Sequence, residues 1–332
     1  MRYLEKYTDT TVLITGGAGL IGSNLARKLL DIDAKKVIIL DDLSGSVKAN
    51  VPQDNRVEFI HGSILDESMV KRAFVKRPEY VFHLAAHFAN QKAIDHPDEN
   101  LMVNGLGMMK ILQGAELVEA KRFVFSSSGC ATYGSKAPVP LIEDFVTMNL
   151  DSPYQIHKFL GELYCNFFHD YYKLPTVRLR FFNVYGPWGT PGIYKNVIPN
   201  FLYWSMQGKQ LPVMGSGNET RDYTFVDDLV DGLLRAGIVK DAIGQAINLG
   251  SGVETKSMEL AKKVNEVTGN KAGIKQVPIR DWDKQDGRRV ASIEKARKLL
   301  GYEPQFKLKD GLKKTHTWFK ENKKRIEQEA LF

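Results

Sequence analysis

The sequence has little cysteine and no long apolar run, and both features limit what the protein can be. Only two cysteines, Cys130 and Cys165, occur in 332 residues, so no disulfide framework is indicated and a reducing compartment is favoured. No run approaches the roughly 18 apolar residues that a membrane span needs. The segment before Thr11 is polar and lacks the apolar stretch of a signal peptide. We therefore expect a cytoplasmic protein without a membrane anchor.

The sequence also lacks a strong excess of charge of either sign. The formal net charge is +7, and much of the excess falls near the C-terminus, in residues 307–314 and 320–325. We interpret these runs as solvated helix faces and expect no nucleic-acid partner. Hydrophobic residues make up 43% of the chain, enough to bury a sizeable core. A modest basic excess also suits a small anionic substrate.

Short apolar runs alternate with amphipathic stretches through the first half of the chain. Because each parallel strand pair needs a crossover, this alternation predicts an α/β fold with a Rossmann-type, doubly wound parallel sheet. We expect residues 1–180 to form the dinucleotide-binding domain, with residues 227–250 returning to it, and 181–330 to form a smaller, interwoven substrate lobe. Predicted strands cover residues 11–15, 36–40, 57–60, 80–84, 122–126, 176–181 and 245–249, and predicted helices cover 20–30, 66–76, 101–118, 227–239 and 257–268.

A glycine-rich turn follows the first predicted strand. Gly16, Gly19 and Gly22 have the spacing G-x-x-G-x-x-G at the start of a predicted helix. A backbone without Cβ atoms lets a pyrophosphate approach the N–H groups at the helix start. The next strand ends in Asp41 and Asp42, where a carboxylate can accept a hydrogen bond from a ribose diol and repel a 2′-phosphate. The pattern favours NAD over NADP.

A tyrosine and a lysine four residues apart form the second motif. Tyr154 and Lys158 follow Pro153 in a helical stretch, so their side chains share one helix face. An ammonium group near a phenol stabilises the phenolate and makes it usable as a base. Residues 126–128 are three serines that end the fifth predicted strand, at the sheet edge where ligands bind. A hydroxyl at this place can hold the reacting oxygen of a substrate.

These motifs together resemble the extended short-chain dehydrogenase/reductase family, in particular its NAD-dependent nucleotide-sugar epimerases and dehydratases. The resemblance covers nearly the whole chain and includes the segments 15–22, 40–44, 82–86, 126–128, 180–187, 221–228 and 295–301, besides Tyr154 and Lys158. It implies NAD as cofactor, a nucleotide-sugar substrate and a homodimer. A metal site is not expected, because His83 and His87 flank a strand end with no third ligand nearby.

The resemblance also implies roles for individual residues. Ser128, Tyr154 and Lys158 form the implied catalytic group. The cofactor is expected to contact Gly16, Gly19, Leu20, Ile21, Gly22, Asp41, Asp42, Ser44, Ser46, Ser63, Ile64, Leu84, Ala85, Ala86, Phe88, Asn104, Tyr154 and Lys158. The substrate is expected to contact Ser128, Asn183, Asn196, Arg221 and Arg288, where Arg288 or its neighbour Arg289 holds the diphosphate through guanidinium–phosphate contacts.

Two departures from the family pattern bear on the reaction. The 4,6-dehydratases carry an Asp-Glu pair just after the catalytic hydroxyl, whereas this chain has Gly129 and Cys130, so dehydration lacks its usual proton donor. Simple 4-epimerisation through a transient 4-keto sugar, with Tyr154 as base, is therefore the leading interpretation. Cys130 keeps open a 3,5-epimerase or a 4-keto-sugar reductase, since a cysteine two residues beyond the serine acts as acid/base in such enzymes. The loose candidate for a second acid/base is Lys195.

An NAD-binding regulator without activity is the non-enzyme alternative. Such a protein has no need of Ser128, Tyr154 and Lys158 together, so the sequence favours an enzyme.

Overall fold

The computed structural model of the protein describes residues 3–129, 132–279, 287–330 and 332. Strands and helices alternate along the chain. The strands are β1 (Thr11–Thr15), β2 (Lys36–Asp41), β3 (Val57–His61), β4 (Tyr80–His83), β5 (Arg122–Ser128), β6 (Thr176–Phe181), β7 (Val184–Tyr185), β8 (Leu211–Met214), β9 (Thr220–Asp222), β10 (Thr224–Phe225), β11 (Ala246–Leu249), β12 (Glu254–Lys256) and β13 (Ile274–Val277). The α-helices are α1 (Leu20–Asp31), α2 (Glu67–Phe74), α3 (Asn90–Asp95), α4 (Pro97–Leu101), α5 (Met108–Leu117), α6 (Pro153–Tyr172), α7 (Val197–Met206), α8 (Val226–Ile238), α9 (Ser257–Thr268), α10 (Glu294–Leu300), α11 (Leu308–Glu321) and α12 (Lys323–Glu329).

Seven parallel strands form the central sheet, in the order β3-β2-β1-β4-β5-β6-β11. Ile14 of β1 pairs with Ile39 of β2 on one side and Phe82 of β4 on the other. The expected doubly wound parallel sheet is confirmed. Strand order reverses between β1 and β4, and a crevice for ligands opens at the carboxyl ends of the strands at such a point.

Both faces of the sheet are buried. Leu13 and Ile14 are neighbours on β1 and point to opposite faces, yet neither is exposed to solvent. Ile14 packs in a cluster with Leu25 of α1 and Leu233 of α8. Leu13 packs in another cluster with Ile111 of α5. Helices on both faces therefore explain why the strands are continuous apolar runs without alternation.

The second half of the chain contributes both to this sheet and to a separate core. Strand β11 pairs with β6 at the sheet edge. Phe201 of α7, Leu260 of α9 and Phe319 of α11 form a third apolar cluster. Three two-stranded sheets (β7 with β10, β8 with β13, and β9 with β12) also lie in this half of the chain. No helix in the described part of the chain is long and apolar enough to cross a membrane.

Two differences between the predicted and the observed elements concern segments near the cavity. β5 continues to Ser128, two residues beyond the predicted end, so it carries all three serines. The single helix predicted over residues 101–118 is divided: α4 ends at Leu101, a π-helical segment covers Met102–Gly107, and α5 begins at Met108. The apolar period of an α-helix does not reveal a local π segment, because such a segment shifts the pattern by a single residue.

Candidate active site

The glycine turn forms a close-packed cradle between β1 and α1. Gly16 has φ +72°, and a Cβ on it would lie 2.7 Å from the backbone nitrogen of Ala85. A Cβ on Gly22 would lie 2.5 Å from the Gly16 carbonyl oxygen. The N-terminus of α1 has no side-chain cap, and Leu20, Ile21 and Gly22 of its first turn line the cavity. This geometry fits the pyrophosphate of a dinucleotide.

The carboxylate of Asp41 is buried beside this turn and holds two loops together. One oxygen accepts a hydrogen bond from the Ala18 N–H (2.9 Å), and the other accepts from the Leu43 N–H (2.9 Å) and the Ser46 hydroxyl (2.8 Å). A carboxylate offers about four lone-pair sites, so the oxygen that binds Ala18 still has room for a ribose hydroxyl. Asp42 is exposed and accepts from the Ser44 N–H. The sequence pattern indicates a ribose contact for these two acids, but it does not reveal that they also accept hydrogen bonds from the neighbouring loops.

Helix α6 presents the tyrosine and the lysine toward the end of β5. The Ser152 side chain caps the helix by accepting from the Gln155 N–H at 3.3 Å. Both Tyr154 and Lys158 are buried. The Lys158 ammonium donates to the Ser126 carbonyl at 2.7 Å and lies 5.9 Å from the centre of the Tyr154 ring. Ser128, at the end of β5, lines the same cavity as Tyr154 and Lys158. The structure thus brings the three implied catalytic residues together.

Two histidines near the site are held in hydrogen bonds. The His83 imidazole lies 2.7 Å from the Thr15 hydroxyl. Burial, together with the positive charge of Lys158, lowers the pKa of His83 to about 3, so this ring is neutral at physiological pH. Burial also lowers the pKa of His87, whose ring nitrogen lies 3.2 Å from the Asn100 amide. Hydrogen bonds to neighbouring side chains therefore account for the positions of both imidazole rings.

A buried ion pair fixes α6 to the sheet, and sequence reasoning missed it. Glu162 lies one turn after Lys158, and its two oxygens accept from Arg180 of β6 at 2.9 and 2.8 Å. Glu162 also accepts from the hydroxyl of Ser127, beside the catalytic strand end. Arg180 donates further to the Tyr133 hydroxyl at 3.0 Å. The spacing of four after Lys158 is the sequence signal that could have identified Glu162 on the same helix face.

One cavity of about 700 Å³ connects the glycine turn, the tyrosine–lysine pair and the second half of the chain. Most residues predicted for the cofactor and substrate line it. These are Gly16, Gly19, Leu20, Ile21, Gly22, Asp41, Asp42, Ser44, Ser46, Ile64, Leu84, Ala85, Ala86, Phe88, Ser128, Tyr154, Lys158, Asn183, Asn196 and Arg221.

Three predicted residues are placed elsewhere. Arg288 is paired with Glu254 of β12 at 2.6 Å and is not among the lining residues, whereas Arg289 lines the cavity. The Asn104 side chain is buried and bonds the backbone of His87, so it supports the loop after β4. The Ser63 hydroxyl accepts from the Leu65 N–H and does not line the cavity. Each of these side chains has a protein partner, which is Glu254 for Arg288, His87 for Asn104 and Leu65 for Ser63.

Cys130, the residue that keeps chemistry beside the ketone open, lies outside the described residues.

The sequence and the architecture match those of known enzymes. The family described as NAD dependent epimerase/dehydratase matches residues 12–250. The chain belongs to this family. A UDP-glucose 4-epimerase of Mycolicibacterium smegmatis is 34% identical over 93% of this chain and 98% of its own length. An epimerase from Methanothermobacter thermautotrophicus has 52% identity and a TM-score of 0.98, covering 100% of this chain and 98% of that one. The Bordetella bronchiseptica enzyme WbmF, solved with NAD⁺ and UDP, has 35% identity and a TM-score of 0.85, covering 98% and 96%.

Membership in this family confirms NAD as the cofactor class, in agreement with the cradle at Gly16 and Gly22. It also confirms an enzyme of the nucleotide-sugar epimerase and dehydratase group.

Proposed function

We propose that the protein is a 4-epimerase acting on a UDP-activated sugar. The observation that carries this proposal is the convergence of Ser128, Tyr154 and Lys158 on one cavity with the glycine cradle. In sequence, Gly129 and Cys130 stand where the dehydratases carry their acid pair. The names of the M. smegmatis and B. bronchiseptica relatives support uridine diphosphate as the activating group.

The side chains can perform this reaction with few parts. The Tyr154 phenolate removes the proton from the C4 hydroxyl of the sugar, the Ser128 hydroxyl holds the same oxygen, and the Lys158 ammonium favours the phenolate electrostatically. NAD, when bound, would accept the hydride released from C4 and give the same hydride back. The keto sugar would rotate between these two steps so that the hydride returns to the opposite face of C4, and Tyr154 would return the proton to the C4 oxygen. No acid or base is needed at C3 or C5.

Two arginines are suited to the diphosphate. Arg221 and Arg289 both line the cavity. The Arg221 guanidinium is oriented by donating to the carbonyls of Thr220 (2.8 Å) and Gly287 (3.0 Å). An oriented guanidinium loses less rotamer freedom when it binds a phosphate. We infer that these two residues, in place of Arg288, hold the diphosphate.

Isotope labelling tests the proposed reaction. The protein is incubated with UDP-hexoses in heavy water, and the products are analysed by NMR and mass spectrometry. We expect the C4 epimer without deuterium on carbon, and most activity in Cys130→Ser. Tyr154→Phe, as a control for the base, should turn over about a hundred to ten thousand times more slowly. Deuterium at C3 or C5 that disappears in Cys130→Ser would instead establish the 3,5-epimerase.

We also infer a homodimer, from an apolar face that two neighbouring helical segments share. On α6, the side chains of Ile156, Leu163, Phe167 and Tyr171 are 49–70% exposed and recur at helical spacing. On the adjoining segment, Leu101, Met102 and Leu106 are 43–47% exposed. A Cβ on Gly105 would lie 3.6 Å from the Leu160 side chain, so the two segments are in contact. Apolar faces of this kind usually mark an interface, and a second copy offers the matching face.

A further inference from the structure

The segment of residues 187–196 covers the cavity, and we refer to it as the roof segment. It leads from β7 to α7, and residues 188–190 and 192–196 line the cavity. Its first residues are tied to the glycine turn. The Asn50 amide donates both to the Ala18 carbonyl (2.8 Å) and to the Trp188 carbonyl (3.1 Å), and the Asn24 amide donates to the Pro187 carbonyl (3.0 Å). Two asparagine side chains therefore hold the backbone at the beginning of the roof segment.

The far end of the roof segment is held differently. The Lys195 ammonium donates to the carbonyl of Gly45, in the loop that follows β2, whose last residue is Asp41. The Tyr194 hydroxyl donates to the carboxylate of Asp95, at the end of α3, at 3.0 Å. Two side chains thus reach from one short stretch to two loops of the dinucleotide-binding half. Tyr194, Lys195 and Gly45 line the cavity that also contains the glycine turn.

These two contacts are suited to opening. Tyr194 and Lys195 are half-buried, and the partner of Lys195 is a neutral carbonyl. Burial and the nearby charge of Lys92 lower the pKa of Lys195, while Asp41 raises it. Removing an ammonium from water without a paired carboxylate costs free energy. The Lys195–Gly45 contact therefore stabilises the closed arrangement less than an ion pair would. By contrast, the Asn200 side chain holds Gly192 through two bonds of 2.8 and 2.9 Å that are buried.

We propose that Lys195 and Tyr194 form a clasp that closes the roof segment over bound NAD and sets the rate at which the cofactor enters and leaves. An enzyme that returns the electron pair to its own substrate has no need to exchange its cofactor, so a closed roof does not limit turnover. The proposal depends on NAD binding alone and does not depend on which carbon is epimerised.

Nucleotide exchange tests the clasp. The NAD-loaded protein is diluted into an NAD-consuming enzyme to measure release, and protein freed of nucleotide by dialysis is mixed with NAD to measure uptake. Lys195→Met and Tyr194→Phe should each release NAD about tenfold faster, as expected for loss of one hydrogen bond involving a charged group. Both variants should also take up NAD faster, because an open roof admits the cofactor. Lys271→Met, which removes an exposed lysine outside the cavity lining, should exchange like the unaltered protein.

Three results would overturn the proposal. Release within twofold of the unaltered protein in both variants would show that the contacts do not close the roof. Faster release with slower uptake would show that the side chains bind the cofactor directly. Faster NAD release in Lys195→Met, with unchanged release in Tyr194→Phe, would show that loss of the positive charge, and not opening of the roof segment, causes the faster release. Tyr194→Phe removes a single hydroxyl and keeps the test valid if Lys195→Met does not fold. Lys195→Arg, which keeps the cation, should retain slow exchange.

Discussion

Arg288 and Arg289 are neighbours with the same charge, yet their surroundings differ. Arg288 is largely exposed and forms a two-bond pair with Glu254. This pairing lowers the pKa of Glu254 to about 2. Arg289 lines the cavity and lies 4.0 Å from Asp151. The two arginines therefore differ in their carboxylate partners and in whether they line the cavity.

This difference predicts different kinetics for the two alanine variants. Arg289→Ala should raise KM for the nucleotide sugar roughly tenfold to a hundredfold, the range expected when a charged hydrogen bond is lost. Arg288→Ala is the matched control and should leave KM within about twofold, because an exposed ion pair contributes little. Steady-state kinetics on both variants measures the effect. An equal rise in KM for both would contradict the placement of the diphosphate.

At the scale of single elements, α6 carries the proposed catalytic pair and an anchoring ion pair on one face. Tyr154, Lys158 and Glu162 follow each other at intervals of four residues, so their side chains lie one above the other. The first two line the cavity. The third is buried in an ion pair with Arg180 of the neighbouring strand. The position of the base is therefore coupled to a contact about two turns away from it.

This coupling predicts a large loss of stability in Glu162→Ala. The Arg180 charge would stay buried without its partner, which typically costs about 3–5 kcal/mol of unfolding free energy. Urea denaturation of the NAD-loaded protein measures this change. Glu67→Ala breaks the exposed pair with Lys71 and should change the urea midpoint far less. A similar midpoint in both variants would show that the buried pair does not anchor α6.

The segment before α5 shows how tertiary contacts change a locally helical pattern. Residues 101–118 have the apolar spacing of one helix, but the π-helical turn at Met102–Gly107 interrupts it. There Asn104 bonds the His87 backbone, and a Cβ on Gly107 would lie 2.6 Å from the Ile64 side chain. These contacts connect the turn to the loop after β4 and the loop after β3, both of which line the cavity. The apolar spacing of residues 101–118 predicts neither of these contacts.

At the scale of the whole molecule, the shared apolar face of α6 and its neighbouring segment predicts self-association. Phe167→Glu combined with Leu106→Glu should convert the dimer to a monomer, since burying two carboxylates opposes the association. Light scattering coupled to size-exclusion chromatography measures the mass. Val253→Glu, at an exposed position beside β12, is the control and should remain dimeric. A monomeric unaltered protein would disprove the homodimer.

The sequence by itself determined the features that depend on local spacing. Gly16, Gly19 and Gly22 lie close together at the junction of β1 and α1, and Tyr154 and Lys158 lie on one face of α6, so local spacing alone places each group. Alternating apolar runs likewise specify the parallel sheet, because each buried strand needs a crossover helix.

Only the tertiary structure decided which polar groups remain for ligands. Asp41 lines the cavity and also accepts a hydrogen bond from the glycine turn. Arg288 pairs with Glu254, and Lys195 donates to Gly45, which is 150 residues away in the chain. Charge and residue type were evident for all three, but their partners come from distant segments that folding brings together. Tertiary packing decides which partner each hydrogen-bonding group meets, and a local sequence pattern does not contain that information.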